Sequence, residues 1–455
     1  MTFRVSWLLI LFLHISTSIF AQKPEFNIST TGIASTGSSQ PFWLVSNQNG
    51  KYNQSHLGYF LMEAGFHKNW EAGTTKKPDF IYGANLVYGY AKESDIHLNE
   101  VYAGLRYSWL DIFAGAKAEP IRFNGFSSTN GDILLSGNAR PIPKIGISTN
   151  RKIYFIKHFA ITVKYEEGLL NDDRYVENTH LHHKNLFLHY DFPREWYLSF
   201  GLDHYVMWGG SHPEKGKNPT SFSDYIRYIS GLAGGENALR MDQDNAAGNH
   251  IGAYLLTIKK KWKNCSLTFN WNHLFEDTSG RELTNFPDAL YRLDFDFSQK
   301  DKWFSHLLYE FYHTKDQSDK PTTYNFRKND NYFNHGFYES GYTFHQRTIG
   351  SPFFSPVLTE NGISTGITNN RFIAHHIGIG GGKKNLSWKG LFSWSHNYGT
   401  PSNKFEAPID QCSLLGECTF HEGKLPFDFI IKIAADFGKL LEENVGAQLL
   451  LSKRF

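Results

Sequence analysis

Val445-Gly446-Ala447-Gln448-Leu449-Leu450-Leu451-Ser452-Lys453-Arg454-Phe455 is the stretch that decides how the rest of the chain is read. In an extended strand, successive side chains point to opposite faces. Val445, Ala447, Leu449 and Leu451 then share one face, with Phe455 on the same parity, and Gly446, Gln448, Ser452 and Arg454 take the other. Lys453 interrupts the apolar face. A last strand with one apolar face and a terminal aromatic is the pattern of an outer-membrane β-barrel, where it closes against the first strand. A soluble β-sandwich can also end in an amphipathic strand, so the choice falls to the rest of the chain.

The N-terminal end points to export. Arg4 supplies a positive charge, Trp7 to Ile15 form a short apolar core, and Ser18-Ile19-Phe20-Ala21 precede Gln22. This reads as a signal peptide over residues 1–21, leaving 22–455 as one barrel domain. No cysteine follows to carry a lipid, and no later window approaches the ~18 apolar residues of a membrane helix.

Composition points the same way. Mean hydropathy is −0.43, yet 16% of residues are aromatic and only 20% are charged. A polar lumen with aromatic girdles needs that combination. A net charge of +2 offers no basic surface for nucleic acid. Cys265, Cys412 and Cys418 are too few for a disulfide framework. Cys412 and Cys418 lie ~20 Å apart in an extended chain, too far to bridge, so all three read as unpaired.

Period-two alternation recurs throughout. Leu267, Phe269 and Trp271 alternate with Ser266, Thr268, Asn270 and Asn272. Trp196, Leu198, Phe200 and Leu202 alternate with Tyr197, Ser199, Gly201 and Asp203. Tyr291 to Ser298 and Phe427 to Asp436 behave alike. In a barrel the apolar set faces lipid and the polar set faces the lumen.

Connections sort by length. Short turns fall near 105–110, 191–196, 260–264, 298–302, 381–385 and 421–426, and longer stretches cover 118–142, 169–179, 206–248, 275–289 and 315–370. Short periplasmic turns and long external loops are the rule for such barrels. The predicted strands lie near 26–34, 56–69, 78–91, 97–107, 110–117, 143–149, 158–168, 180–191, 196–205, 248–260, 264–274, 290–298, 303–314, 371–381, 386–398, 406–421, 427–438 and 444–455. That is an even count of about eighteen, with sixteen as the alternative because register is weakest at the first few strands.

Two inserts stand out. Phe222, Tyr225, Ile226 and Ile229 follow i, i+3, i+4, i+7 spacing after Pro219-Thr220-Ser221, which predicts a short amphipathic helix within 219–231. Residues 39–52, with Phe42, Trp43 and Leu44, neither alternate nor read as a polar loop. Structured inserts of this kind are expected to fold inward and block the lumen.

Several segments together resemble a known family. They are Pro41-Phe42-Trp43-Leu44, Leu134-Leu135-Ser136-Gly137-Asn138-Ala139-Arg140-Pro141-Ile142-Pro143, Gly168 to Asp173 with Thr179-His180-Leu181-His182-His183-Lys184, Gly201-Leu202-Asp203-His204 with Trp208-Gly209-Gly210, and the C-terminal strand. The chain resembles the Wzi-type capsule assembly proteins, in their Bacteroidetes-like branch, over nearly the whole mature sequence. That resemblance implies a plugged outer-membrane barrel of about eighteen strands. It also implies a surface lectin that holds capsular polysaccharide to the cell and is not itself the export channel. The N-terminal helical bundle of the best-studied branch has no counterpart here beyond the 39–52 insert.

The candidate chemistry has bland readings beside the sharp ones. His180 and His182 share a strand face about 7 Å apart, a spacing a metal could bridge, but no Asp, Glu or Cys at ligand spacing accompanies them, and lumen or girdle roles suit them equally. Asp203, His204 and Ser211 suggest a hydrolase, yet no Gly-x-Ser-x-Gly elbow is present. Trp208-Gly209-Gly210 offers a ring face for a sugar, or simply a packed Trp beside a turn, and Trp43 carries the same ambiguity. Arg122, Arg140, Arg174, Arg227, Arg281, Arg327 and Arg347 fall in predicted external segments, where they suit carboxylates of an acidic polymer or bridge lipid phosphates. Trp43, Arg140, Trp208, Tyr225 and Arg227 are the expected polysaccharide-binding residues. The expectation is a monomeric, non-enzymatic outer-membrane lectin without cofactor or metal, with surface polysaccharide, outer-membrane lipids and the capsule export machinery as partners. A porin or substrate-specific channel is the alternative.

Overall fold

Eighteen antiparallel strands run in chain order around a closed barrel. The computed structural model describes residues 24–455 except 53–56, 71–76, 92–93, 245, 277, 298–301, 319–329 and 424; the expected signal peptide, 1–21, lies outside the described residues. The strands are β1 (Glu25–Ser35), β2 (Gly58–Lys68), β3 (Asp79–Tyr90), β4 (Ser94–Tyr107), β5 (Leu110–Ala116), β6 (Lys144–Thr149, resuming as Ile153–Ile156), β7 (Phe159–Leu170), β8 (Thr179–Phe192) and β9 (Trp196–Trp208). They continue with β10 (Asn249–Lys261), β11 (Ser266–Phe275), β12 (Ala289–Asp296), β13 (Lys302–His313), β14 (Phe372–Lys383), β15 (Leu386–Gly399), β16 (Lys404–Phe420), β17 (Asp428–Gly438) and β18 (Asn444–Arg454). The two pieces of β6 both pair with β7 and occupy one barrel position.

The predicted strands coincide with these to within a few residues, except that the second piece of β6, Ile153–Ile156, falls in a predicted gap, and the closure is the expected one. β1 pairs with β18 from Asn27↔Arg454 to Ser35↔Gly446. Phe455 N donates to Phe26 O at 2.9 Å, sealing the seam at its lower end. Val445, Leu449, Leu451 and Phe455 face outward and are exposed, as a lipid-facing set should be, while Gln448 is fully buried inside and donates to Tyr52 Oη at 3.1 Å. Lys453, the interruption of the apolar face, sits at the short-turn rim and pairs there with Glu422. A long lysine at a membrane edge keeps its head in water while its stem lies on apolar surface.

The interior departs from the simple picture of a polar lumen. The external segments 36–52, 117–143 and 330–371 enter the barrel and fill it with an apolar core. Trp43, Leu44, Leu134, Phe333, Tyr342 and Phe354 pack there against the wall residues Leu61, Tyr205, Leu308 and Phe372. A short helix, α1 (Phe42–Val45), is buried along its whole length. Its Phe42 N donates to Asp436 Oδ2 of β17 at 2.7 Å. Gly446 faces it from β18, and a Cβ there would lie 2.8 Å from Pro41 Cδ. The glycine in the deciding stretch is thus the space the plug needs. β14 makes similar room for the 117–143 segment: a Cβ at Gly378 or Gly380 would fall 2.5 Å from Phe126. The 39–52 insert therefore folds inward as expected.

The second insert does not. α2 (Phe222–Ser230) forms where the apolar spacing predicts it, with a Ser221–Asp224 capping box and Gly231 at φ 66° as its stop. But it packs on the outside of the barrel. Phe200 and Leu202 of β9 are exposed to lipid, and Val206 and Trp208 share their parity. These last two form with Tyr228 and Ala247 a small apolar cluster separate from the core in the lumen. The expectation that this insert blocks the lumen is corrected: its tyrosines find their partners on the outer wall.

Candidate ligand-binding surface

Strand pairing brings two polar clusters to the long-loop rim, back to back across one wall. On the inner face, His183 Nδ1 lies 2.7 Å from Glu166 Oε2 and its Nε2 lies 2.5 Å from Asp203 Oδ1. Lys144 pairs with Glu166 and Glu119 at 3.1 and 3.0 Å. On the outer face, His182 Nδ1 lies 2.5 Å from Glu167 Oε1, and Tyr225 Oη of α2 donates to that same oxygen at 2.5 Å. His180 stacks on Trp208 with centroids 4.4 Å apart. The alternating parity of Glu166/Glu167 and His182/His183 sends one member of each pair to each face. Sequence reading found the histidines but not these carboxylates, because the partners come from neighbouring strands.

The same parity separates the hydrolase candidates. Asp203 points inward to His183, whereas His204 points outward, its Nε2 3.1 Å from His250 Nδ1. No Asp–His hydrogen bond links residues 203 and 204.

Two clefts open among the external loops. One, of about 660 Å³, is lined by Lys51, Tyr59, Asp95, Arg140, His345 and Arg347. Arg140 reaches Asp95 Oδ2 and Gly50 O, each at 3.5 Å. Burial, with Arg140 and His97 nearby, pushes His345 down to about 4. The other, of about 1140 Å³, runs between the loops around Arg281, Asn334, His335 and Asn403 and reaches the outer wall at His204 and Tyr254. Burial pushes His335 down to about 4 and Asp242 up to about 6. Burial opposes ionisation of Glu339, but Lys215 and His212 outweigh it and hold that carboxyl below its usual range. Amide, imidazole, guanidinium and phenol groups around open clefts suit a ligand rich in hydroxyl groups, with hydrogen bonds to fix it and ring faces to cover its C–H surfaces.

The five residues singled out from sequence do not converge. Trp208, Tyr225 and Arg227 come together on the outer wall, where Trp208 is packed beneath α2 and Arg227 Nη1 donates to Ala233 O at 2.9 Å. Arg140 lines the smaller cleft. Trp43 is 3% exposed, deep in the plug, with Nε1 donating to Ser393 Oγ at 3.2 Å. Nor do the described arginines gather in one cleft. Arg174 is buried against Asp172 and Thr343 O, Arg347 donates to Tyr52 O at 3.0 Å, and Arg327 lies outside the described residues. The cleft residues of 330–336 and 345–347 carried no periodic signal, so sequence reasoning passed over them.

Comparison with known proteins places this geometry. The family model described as capsule assembly protein Wzi matches residues 26–357. Among solved structures, the chain is similar to Wzi of Escherichia coli, described as an outer-membrane protein involved in group 1 capsule assembly and a carbohydrate-binding β-barrel. That match has 13% identity, covers 98% of this chain and 87% of that one, and has a TM-score of 0.59. It is also similar to OccAB2 of Acinetobacter baumannii, with 10% identity, 96% and 99% coverage and a TM-score of 0.50. At these identities the likeness speaks for the fold. No curated protein matches by sequence.

Proposed function

This chain belongs to the capsule assembly protein Wzi family, and from that premise we propose that it is a surface lectin that attaches capsular or other surface polysaccharide to the cell. The observation that carries this reading is a lumen filled by its own external segments beneath clefts that open outward. A plugged barrel has no path for diffusion, so its useful surface is the outside. This weighs against the porin reading, and the separation of Asp203 from His204 weighs against a hydrolase. In the same proposal the chain is exported by residues 1–21, belongs to the Bacteroidetes-like branch and works as a monomer beside the export machinery. Arg140 contacts polymer in the smaller cleft, and Trp208, Tyr225 and Arg227 contribute from the outer wall at α2, whose end, Ile229 to Gly231, lines the larger one. Trp43 acts from within the plug.

The test is the partition of surface polysaccharide between cells and medium in a strain lacking the gene. Retention predicts unchanged total polymer with a shift into the medium. Polymer that stays on the cell in normal amount ends the lectin reading.

A further inference from the structure

α2 presents two faces, and neither is the apolar-in, polar-out arrangement of a helix that answers only to protein. Its inner face is fastened to the wall by polar and aromatic groups. Tyr225 Oη bonds Glu167 and Tyr165, Tyr228 is buried on Trp208, and Lys184 Nζ donates to Ile229 O. Its free face carries Phe222, 78% exposed, and Ile226, 39% exposed, and the chain leaving the helix adds Leu232 at 53%. A large apolar side chain left that open, beside two others, needs a partner.

The position of the helix says which partner. Outward residues of β8 and β9 below it, Leu186, Leu188, Phe200 and Leu202, form the exposed lipid-facing band. With strands tilted about 40°, each residue climbs about 2.5 Å, so Trp196 to Trp208 spans roughly 30 Å against an apolar band of ~25 Å. Trp208 and the helix over it therefore sit at the upper edge of that band. There the wall itself turns polar: Tyr165, Glu167, His182, Lys184 and His204 point outward, and strand register places them side by side, with Glu167 opposite His182 and Lys184 opposite both Tyr165 and His204. The apolar residues of α2 continue the lipid-facing surface across this polar collar.

We propose that α2 is an interfacial helix, docked on the barrel by its tyrosines and seated in the outer leaflet by Phe222, Ile226 and Leu232. Its partner is the lipid of that leaflet, at the boundary between headgroups and acyl chains, where amphipathic helices lie in the membrane plane. Ile229, Ser230 and Gly231 at its end line the larger cleft. The membrane surface thereby supports one wall of that cleft and sets its height above the bilayer. This inference rests on the barrel spanning a membrane and is independent of whether the clefts bind polysaccharide.

The experiment uses the full barrel reconstituted in vesicles of phosphatidylethanolamine and phosphatidylglycerol. Cys265, Cys412 and Cys418 are replaced by serine, and a nitroxide is attached in turn to Phe222→Cys, Ser223→Cys, Ile226→Cys and Leu232→Cys. Collision rates with oxygen, which concentrates in lipid, and with a water-soluble nickel chelate are compared. The expected result is an oxygen-to-nickel ratio at 222, 226 and 232 severalfold above that at 223. Equal nickel accessibility at all four sites overturns the proposal. These positions are exposed, so their labelling does not disturb the core, and heat-dependent gel mobility verifies that each variant is a folded barrel. A second reading avoids substitution: amide protection over 222–230 is expected to be higher in vesicles than in amphipol, and equal protection in both also counts against the proposal. No polysaccharide enters either measurement, so the outcome does not depend on the lectin reading.

Discussion

Arg292 Nε donates to Glu310 Oε1 at 2.6 Å, and neither side chain is more than 1% exposed. The pair stands on the inner wall, on β12 and β13, and holds the plug. Ser127 Oγ and Ser128 N donate to the two oxygens of Glu310 at 2.6 and 2.9 Å, and Arg292 donates to Gly131 O and to Thr129 Oγ1 at 3.2 and 3.3 Å. These four polar groups of the 117–143 segment meet at one ion pair. Arg292→Met leaves Glu310 as a buried charge without its counter-ion, a loss of about 3–5 kcal/mol. The expected outcome is a lower melting temperature and intermittent current in planar bilayers, against a nearly silent parent protein. A variant as silent and as stable as the parent removes this pair from the account of plugging.

Asp288 organises the long loop in the same way. It accepts from Asp316 N at 2.9 Å, Gln317 N at 2.7 Å and Tyr332 Oη at 2.9 Å, and His313 Nδ1 lies 2.7 Å away. Asp288→Asn replaces one acceptor oxygen by a donor facing donors, which costs about 1–3 kcal/mol. Faster tryptic cleavage after Lys315, with the barrel strands still resistant, is the expected readout.

Acid should loosen the two loops in opposite senses. His335 Nδ1 accepts from Phe337 N and Tyr338 N at 3.1 and 3.3 Å, and burial holds its pKa at about 4. The unfolded loop takes up a proton near 6.5 and the folded one does not, so the stability contributed is full above 6.5 and is lost as pH falls through about 4. His345 adds to this with the same sign. Asp242, raised to about 6 by burial, contributes stability below about 4 that is lost as pH rises through 6. Amide exchange corrected for intrinsic rates, compared at pH 7.5 and 4.5, should show 333–346 losing protection and 238–244 gaining it. Parallel behaviour of the two segments contradicts the assignment.

Polysaccharide retention should respond to surface area more than to any one side chain. A repetitive polymer gains avidity from many weak contacts. Arg140→Ala is expected to change retained polymer by less than about twofold, while replacing the hairpin tip 358–364, which borders the larger cleft through Leu358, should release polymer severalfold. A single substitution that abolishes retention would point instead to one dominant pocket.

The barrel was legible because its signal is local. Alternation at Leu267–Asn272 or Trp196–Asp203 records which side of one strand meets lipid, and the closure at Phe455 needs only the parity of one stretch. The candidate site was legible only in fragments. His180, His182 and His183 stood out, but Glu166, Glu167 and Asp203 join His182 and His183 across strands from 15 to 20 residues away in sequence, and no spacing rule marks such partners. The larger cleft is lined by Asn331, Asn334, His335 and Asn403, polar loop residues indistinguishable in sequence from ordinary solvated ones.

By itself, then, the sequence determined the wall: which residues form strands, which face lipid, and that first strand meets last. Backbone geometry imposes a period of two on any strand with one apolar side, and that period survives in the bare chain. Only the tertiary structure decided where the inserts go. Phe42-Trp43-Leu44 and Phe222-Tyr225-Ile226-Ile229 are both apolar stretches between strands, and either could fill a lumen. The first went inside because Asp436 receives Phe42 N and Gly446 leaves it room. The second stayed outside because Glu167 and Trp208 hold its tyrosines on the outer wall. Those partners are set by the closed barrel, so the destination of each insert is a property of the folded chain.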